Sequence, residues 1–289
     1  AQMPIWSKKS IDGYFDKVGL TPLMGSGAYK VGTIDAGRAI TYVRDPNYWG
    51  AKPDAGVVVN VGRYNFDQIK YVYYQNPEVA FEGFKSGEYF FRAETKARTW
   101  STGYNFPAVK AGMITKAQIA NNNPVPMQAI VMNLRRPIFQ DIRVRQAMTL
   151  AYDFEWLNKT MFYGQYERLQ SFFHGSALAA TGTPTPQELA VINPLLPDLE
   201  PIQRQAVLSD WQAPKSTGDG FNRDNLLKAR ELLLQAGFKY QNMKLYQPNG
   251  QPAKLEFLST DAKNARIVLP FLRNLQRLGF DASFRQADV

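Results

Sequence analysis

The amino-acid sequence predicts an α/β fold, because helix-like and strand-like segments alternate along it. Two amphipathic stretches that end in Gly-Phe, residues 221–238 and 263–280, are each followed by a strand-like stretch, at 254–260 and 281–287. Residues 25–94 likewise alternate strands with a helix. A layered arrangement of helices on strands is the architecture that this alternation favours.

The first elements are a predicted β-hairpin and a helix. Two runs rich in β-branched and aromatic residues, AYKVGTI and RAITYVR, flank a turn at residues 35–37. Asn76 and Pro77 supply an N-cap and a first-turn proline for the helix. Residues 87–92, GEYFFR, then predict a return strand.

Residues 95–126 predict short helices and a strand, and they end in the loop NNNPVP at 121–126. Asparagine and proline there sustain neither a helix nor a central strand, so we expect a crossover between two domains. The strand-like run MQAIVMNL follows at 127–134, and we place the second domain from about Gln128.

Two consecutive helices are predicted after Pro137. Asp141 caps the first and Asp153 caps the second, which Gly164 ends in the left-handed conformation that a helix stop favours. The apolar stripe of the first helix consists of Val144, Ala147, Met148 and Ala151.

Residues 171–221 are rich in Pro, Gly, Thr and Ser and predict a long surface excursion, with short helices around PQELA and PIQRQAV. In the last helix, Pro270 predicts either a kink or a helix that is regular only after it. The residues predicted to face inward from the last two helices are Leu226, Ala229, Leu233 and Ala236, then Val268, Phe271, Leu272, Leu275 and Leu278.

Composition narrows the function. No apolar run reaches the ~20 residues that cross a bilayer, and the absence of cysteine excludes disulfides, thiolate metal sites and cysteine nucleophiles. The formal charge is +9, with 15 basic and 10 acidic side chains in residues 1–127 and 19 and 15 in residues 128–289. Because nucleic-acid-binding surfaces are usually clustered, this even spread favours a solvated basic surface.

The residues that catalysis would need are sparse. His174 is the only histidine, and with no cysteine it disfavours a catalytic triad or a histidine metal cluster. Asp141, Asp153 and Asp224 lie where helix caps are expected, and residues 25–27 lack the Lys-Ser/Thr ending of a phosphate loop. We therefore predict no catalytic residue, no metal and no cofactor, and favour a structural or exposed role for His174 over ligand contact.

Aromatic side chains in predicted loops suggest a binding site. Aromatic walls suit a peptide ligand because they bury varied side chains without demanding one hydrogen-bond pattern. Packing between domains is the alternative for each single residue, and we expect at least two of the group to face a cleft. The group consists of Trp100, Tyr104, Phe106, Phe172 and Phe173.

Two blocks of the chain resemble a known family. Residues 133–164, with an Asn-ended strand, a proline turn, a VRxA helix and an acidic residue opening the next helix, resemble a signature of the bacterial extracellular solute-binding proteins of family 5, peptide-binding receptors of ABC importers. The order of blocks is most similar to the YejA-like oligopeptide-binding branch. Ala28 departs from the proline common in the family hairpin. The hairpin matches fall at Gly25, Gly27, Tyr29, Arg44, Pro46, Tyr48, Trp49 and Gly50.

The resemblance implies a type 2 periplasmic binding protein of the large, peptide-binding subclass, with two lobes joined by crossover strands. Residues 1–127 are then part of lobe I and residues 128–289 are lobe II, and the sequence is expected to be a middle portion without its export signal. The implied function is periplasmic capture of short peptides, murein-derived ones being one ligand class. The implied partners are the peptide, an inner-membrane ABC permease and the remaining segments of the same protein, with no nucleic acid.

Ligand contacts are expected where family members face their cleft, in regions that correspond to residues 122–128 and 172–174. Arg135 either pairs with a ligand carboxylate or lies on the surface beside Arg136. The family's end-binding acidic and arginine residues lie beyond the equivalent of Val289. The predicted contacts are Trp100, Tyr104, Met127, Gln128, Asn133, Arg135, Phe172 and Phe173.

Two other classes of function remain open. A hydrolase that uses carboxylates on peptides or glycans would cleave a peptide library, whereas a receptor returns its ligand intact. A basic nucleic-acid-binding module would bind DNA or RNA with an affinity that falls steeply as salt rises.

Overall fold

The computed structural model describes residues 11, 22–51, 62–120, 123 and 125–288. By their contacts these residues fall into two compact units, the first ending at Glu94 and the second beginning at Thr95. The predicted lobe boundary between residues 127 and 128 stays a prediction. Part of the predicted crossover loop, Asn121, Asn122 and Pro124, lies outside the described residues.

The first unit contains a three-stranded antiparallel sheet in the order β1-β2-β3. The predicted hairpin is confirmed, and Gly37 takes a left-handed φ of 76° in its turn, a conformation that glycine adopts without steric cost. The strands are β1 (Tyr29–Asp35), β2 (Ala39–Arg44) and β3 (Gln68–Val72).

One helix, α1 (Pro77–Lys85), follows the sheet. The side chain of Asn76 caps it by accepting a first-turn backbone N–H at 2.9 Å, as predicted. The predicted return strand at residues 87–92 is wrong, since this segment has no strand ladder. The Tyr89 hydroxyl instead donates to the Ala80 carbonyl of α1 at 2.7 Å, so the segment packs on the helix and not on the sheet.

The second unit begins with a π-helical turn at Thr99–Gly103 and the short helix α2 (Pro107–Lys110). The strand predicted at 127–134 is wrong as a hydrogen-bonded strand, and none is assigned in the described part of residues 95–126 either. Ile130 and Met132 still pack on the core while Val131 between them is 88 % exposed. The alternation of a strand is therefore kept, but no described strand pairs with its backbone.

The two consecutive helices are confirmed as α3 (Ile142–Ala151) and α4 (Phe154–Met161). Asp141 Oδ1 accepts the N–H of Arg143 at 2.8 Å, and Asp153 Oδ1 accepts the N–H of Trp156 at 3.1 Å. Every residue of the predicted stripe on α3 is buried.

The predicted excursion carries the helices α5 (Pro186–Ile192) and α6 (Pro201–Leu208), joined by a 3₁₀ segment, as expected. α5 begins with a reciprocal capping box in which Thr185 bonds the backbone of Glu188 and the Glu188 carboxylate returns a bond to Thr185.

The C-terminal part alternates helices and strands as predicted, with one unpredicted hairpin, β4–β5. β6 and β7 are parallel and α8 connects them, so they form a β-α-β unit. α8 continues through Pro270, which makes the expectation of a helix regular only after that residue wrong. The elements are α7 (Arg223–Gln235), β4 (Lys239–Gln241), β5 (Lys244–Tyr246), β6 (Lys254–Ser259), α8 (Ala265–Arg277) and β7 (Asp281–Gln286).

The core of the second unit lies where α3, α7, α8 and the C-terminal strands meet. The buried Asn274 side chain on α8 donates to the Ala151 carbonyl at the end of α3, at 2.9 Å, which satisfies a polar group inside this core. Asp224, predicted at a helix cap, lies instead in the first turn of α7, and Asn222 occupies the cap position. None of the helices in the described ranges combines the length and apolar character that crossing a bilayer demands.

Candidate ligand-binding cleft

An open cleft of about 1010 Å³ lies within the second unit. Its walls come from the π-helical turn, from α4 and the segment that follows it, and from Lys215 at the end of the excursion. Volumes of this order hold small molecules and short peptides.

One wall of the cleft is aromatic. Trp100 lines it from the π-helical turn, a kind of local widening that is frequent at functional sites. Lys116 Nζ donates to the Trp100 carbonyl at 2.5 Å and lies 4.2 Å from the centre of the indole ring. The cation therefore fixes the turn from both its backbone and its side chain.

The opposite wall is the segment after α4. Asn158 on α4 holds Tyr166 by donating to its carbonyl at 2.7 Å and accepting its N–H at 3.1 Å. Tyr163 and Gly164 reverse the chain with left-handed φ values of 56° and 70°. The chain reversal at Gly164, where the second helix was predicted to end, thus places Tyr163 and Tyr166 along the cleft.

A strap of the excursion, which we define as residues 213–218, carries Lys215 into the lining of the cleft. Ser216 is its main fixing point, since its N–H donates to Glu155 Oε2 at 2.9 Å and its hydroxyl to Asp153 Oδ1 at 2.5 Å. Asp153 is buried and Glu155 is half-buried. These two carboxylates at the start of α4 therefore fasten the strap to the helix.

Arg168 supports the same strap from beneath. Its guanidinium donates to the Pro214 carbonyl and lies 5.6 Å from the Tyr152 ring centre. Burial lowers the pKa of Arg168, an effect that the nearby carboxylate of Glu155 opposes.

The cleft carries more positive than negative charge. Four basic side chains line it, against the carboxylates of Glu155 and Glu167. Glu155 is engaged with Ser216, and Glu167 lies 3.7 Å from His174. The basic residues are Lys116, Lys159, Arg168 and Lys215.

The structure brings two of the predicted contacts to this cleft region. Trp100 lines the cleft, and the Tyr104 ring meets the Trp100 ring edge-on with centres 6.2 Å apart. Tyr104 and the other predicted contacts are not among the residues that line the cleft, and contact of all eight with ligand stays a prediction. The others are Met127, Gln128, Asn133, Arg135, Phe172 and Phe173.

The two regions expected to face ligand do lie side by side. The Val125 N–H donates to the His174 carbonyl at 3.0 Å, which joins the crossover segment to the excursion. Phe172 and Phe173 beside it are 74 % and 51 % exposed. The His174 side chain is largely covered and faces Glu167, a rim residue of the cleft.

Lys215 and the strap were missed by sequence reasoning. A lysine between proline and serine in a polar stretch is typical of a solvated loop. The bonds that fix the strap join residues some 61 positions apart, such as Glu155 and Ser216, and no local pattern announces them.

An α/β unit with an open cleft that is both aromatic and basic is typical of a ligand-binding protein. The family model for bacterial extracellular solute-binding proteins, family 5 Middle, matches residues 2–289, and the chain belongs to this family.

Curated relatives place the chain more closely. It is 39% identical over 273 residues to the probable peptide-binding protein YejA of Agrobacterium fabrum, covering 93% of this chain and 43% of that protein. It is 32% identical over 294 residues to the peptidoglycan-binding protein YepA of the same organism, covering 99% and 47%. The chain therefore spans less than half the length of these relatives, and the predicted resemblance to the YejA-like branch is confirmed.

Among solved structures, the chain is similar to NikA from Brucella suis in complex with Fe(III)-EDTA. The TM-score is 0.57 at 19% identity, covering 91% of this chain and 44% of that one. At this identity the likeness concerns the fold alone, and it confirms the predicted fold class.

Proposed function

We propose that the protein is the substrate-binding component of an ABC importer that captures short peptides in the periplasm and delivers them to an inner-membrane permease. Membership of the solute-binding family across residues 2–289 carries this proposal. A relative at 39% identity is itself named a probable peptide-binding protein.

The chemistry of the cleft supports a receptor. Trp100 offers an apolar face with an N–H at its edge, and Tyr163 and Tyr166 on the other wall are likewise amphipathic. Such groups fit a peptide, which alternates apolar side chains with polar amides. Asp141 and Asp153 are occupied as helix caps, which argues against a role as paired acid and base.

Murein-derived peptides are the ligand class that we favour. The relative named as a peptidoglycan-binding protein supports this choice. The similar structure of NikA holds a metal chelate, so the fold alone does not determine which ligand is bound. Capture followed by closure requires contacts that exist only in the closed state, because a ligand shifts an equilibrium by its differential affinity alone.

The test is native mass spectrometry of the full protein purified from periplasm, followed by identification of what denaturation releases. We expect an added small mass that fragments as an intact peptide. A chelate or sugar in its place would contradict peptide transport, and time-dependent cleavage of an added peptide library would favour the hydrolase.

A tryptophan substitution ties the proposal to the cleft. Trp100→Ala should weaken peptide binding about tenfold, because an aromatic anchor contributes on the order of 1–2 kcal/mol. Trp211→Ala is the matched control, since Trp211 is 50 % exposed and does not line the cleft. Equal loss in both variants would place the ligand elsewhere.

A further inference from the structure

The backbone on both sides of Lys215 is fixed more firmly than an exposed lysine requires. The Lys215 carbonyl accepts the side-chain N–H of the buried Asn225 at 3.0 Å. On one side Arg168 donates to the Pro214 carbonyl, and on the other Glu155 Oε2 accepts the Ser216 N–H at 2.9 Å. Three elements of the unit thus converge on one position.

The side chain of Lys215 contrasts with this fixed backbone. It is exposed and lines the cleft, and its ammonium makes no ion pair or hydrogen bond with any residue that the structure describes. Lys159 on α4, which also lines the cleft, is equally unpaired among those residues. Of the two carboxylates that line the cleft, Glu155 accepts hydrogen bonds from Ser216, and Glu167 lies 3.7 Å from the His174 imidazole.

An ammonium without a partner, on a side chain that leaves a fixed backbone and lines a cleft, is suited to bind an opposite charge on a ligand. The ammonium of an ordinary surface lysine moves freely, so ordering it costs entropy that offsets much of an ion pair. Fixing the backbone removes part of that cost in advance. The excess of cations in the cleft also favours anions over cations at longer range.

We propose that Lys215 selects ligands that carry a carboxylate and binds that group directly, with Lys159 contributing to the same positive field. This inference rests on the proposed function. It narrows that function to peptides that, when bound in the cleft, place a carboxylate beside Lys215. The carboxylate comes either from the peptide C-terminus or from an acidic side chain, and the shared chemistry is a charge-assisted hydrogen bond from ammonium to carboxylate.

The test compares synthetic peptide libraries on the full protein by competition in native mass spectrometry. One pair of libraries has only neutral side chains, as free acids and as C-terminal amides. A second pair is amidated and carries glutamate or glutamine at a single position. The variants are Lys215→Met, Lys215→Arg and the matched charge control Lys228→Met, an exposed lysine of α7 that does not line the cleft.

We expect the protein to prefer one carboxylate-bearing library over its neutral partner by about tenfold, as a hydrogen bond to a charged group implies. Lys215→Met should abolish that preference, while Lys215→Arg and Lys228→Met keep it. A preference for the free acids over the C-terminal amides identifies the C-terminus as the source of the carboxylate. A preference for the glutamate library over the glutamine library identifies a side chain.

Two results would overturn the inference while leaving the proposed function intact. The first is binding of all libraries with no preference for carboxylate, and the second is a preference that survives Lys215→Met. If no library binds to the unmodified protein, the proposed function is contradicted and the inference falls with it. A melting temperature equal to that of the unmodified protein verifies that each variant is folded.

Discussion

The sheet of the first unit and the α/β core of the second are stabilised in different ways. Both follow the local signals of the sequence, yet among the residues that the structure describes most buried apolar side chains belong to the second unit, around α3, α7 and α8. In the first, most described strand residues are exposed or half-buried. Aromatic rings meet edge-on there, as between Tyr42 and Tyr71 at 5.6 Å and Tyr48 and Tyr64 at 5.5 Å.

The difference shows that a sequence can specify regular secondary structure without also specifying a large buried core. Antiparallel strands satisfy each other's backbone hydrogen-bonding groups, and contacts between side chains on neighbouring strands are enough to stabilise their pairing. A parallel pair such as β6–β7 is covered by its connecting helix, here α8, and the apolar residues are therefore concentrated where this helix packs. We expect the second unit to be the more sensitive of the two to single substitutions.

The sharpest test of this comparison is a cavity in the core of the second unit. Leu275 on α8 is fully buried, so Leu275→Ala should lower the free energy of unfolding by about 3 kcal/mol. Leu269→Ala on the same helix, where the side chain is 47 % exposed, should cost about 1 kcal/mol or less. Urea denaturation measures both, and equal losses would contradict a core centred on α8.

A glycine substitution tests the junction between α8 and the unpredicted hairpin. Gly279 has a φ of +86°, and an added Cβ would lie 3.0 Å from the Leu245 backbone nitrogen. Gly279→Ala should therefore cost about 2–3 kcal/mol, from left-handed strain plus crowding.

The matched control for that junction is Gly250→Ala. Gly250 has a similar φ of +81° but no atom within 4 Å of the added Cβ. It should cost only about 1 kcal/mol, from strain alone. If thermal unfolding shows the same loss for both alanines, crowding at the junction contributes nothing.

The cap of α3 offers a smaller effect with a pH signature. The hydrogen bond from the Arg143 guanidinium lowers the pKa of Asp141 most, the backbone N–H of Arg143 lowers it further, and burial opposes both. Asp141→Ala should cost about 1 kcal/mol at neutral pH.

The sign of the pH effect follows from the lowered pKa. The stabilisation by Asp141 is complete above the ordinary aspartate pKa and is lost as pH falls through the lower folded value. The stability difference between the parent protein and Asp141→Ala should thus be constant near neutrality and shrink in acid. Urea denaturation of both proteins at a series of pH values measures this difference, and a difference that stays constant into acid would contradict the pH dependence.

The smallest effect is expected in the exposed sheet. Tyr71→Ala removes the edge-on contact with Tyr42 and should cost about 0.5–1 kcal/mol. Tyr73→Ala is a matched control, because Tyr73 is similarly exposed and has no ring partner within the described ranges. Hydrogen exchange along the β2–β3 ladder measures both, and a larger loss than in Leu275→Ala would reverse the comparison between the units.

Helices were predictable because their signals are local. Asn76, Asp141 and Asp153 lie beside the helices that they cap, and the stripe on α3 lies within its own helix. The strands predicted at 87–92 and 127–134 failed because a ladder needs a partner, and their sequences do not say whether one is present. Alternation survives at Ile130 and Met132 even so.

The hairpin β4–β5 was missed for a chemical reason. Its turn places Asn242 and Met243 in the left-handed region, at φ 49° and 63°. Asparagine signals such a turn, but methionine does not. Among the residues that line the cleft, Trp100 alone had been predicted as a ligand contact, since an aromatic residue outside a periodic helix face attracts attention and a lysine such as Lys215 does not.

The way in which the strap is fastened determines which side chains position 215 can accept. Every bond that fixes position 215 is made by its backbone or by its neighbours, and none by the lysine side chain. The lysine side chain at position 215 therefore contributes nothing to holding the strap in place. Every substitution at this position other than proline should therefore leave the protein folded, while all except arginine change the charge that the cleft presents.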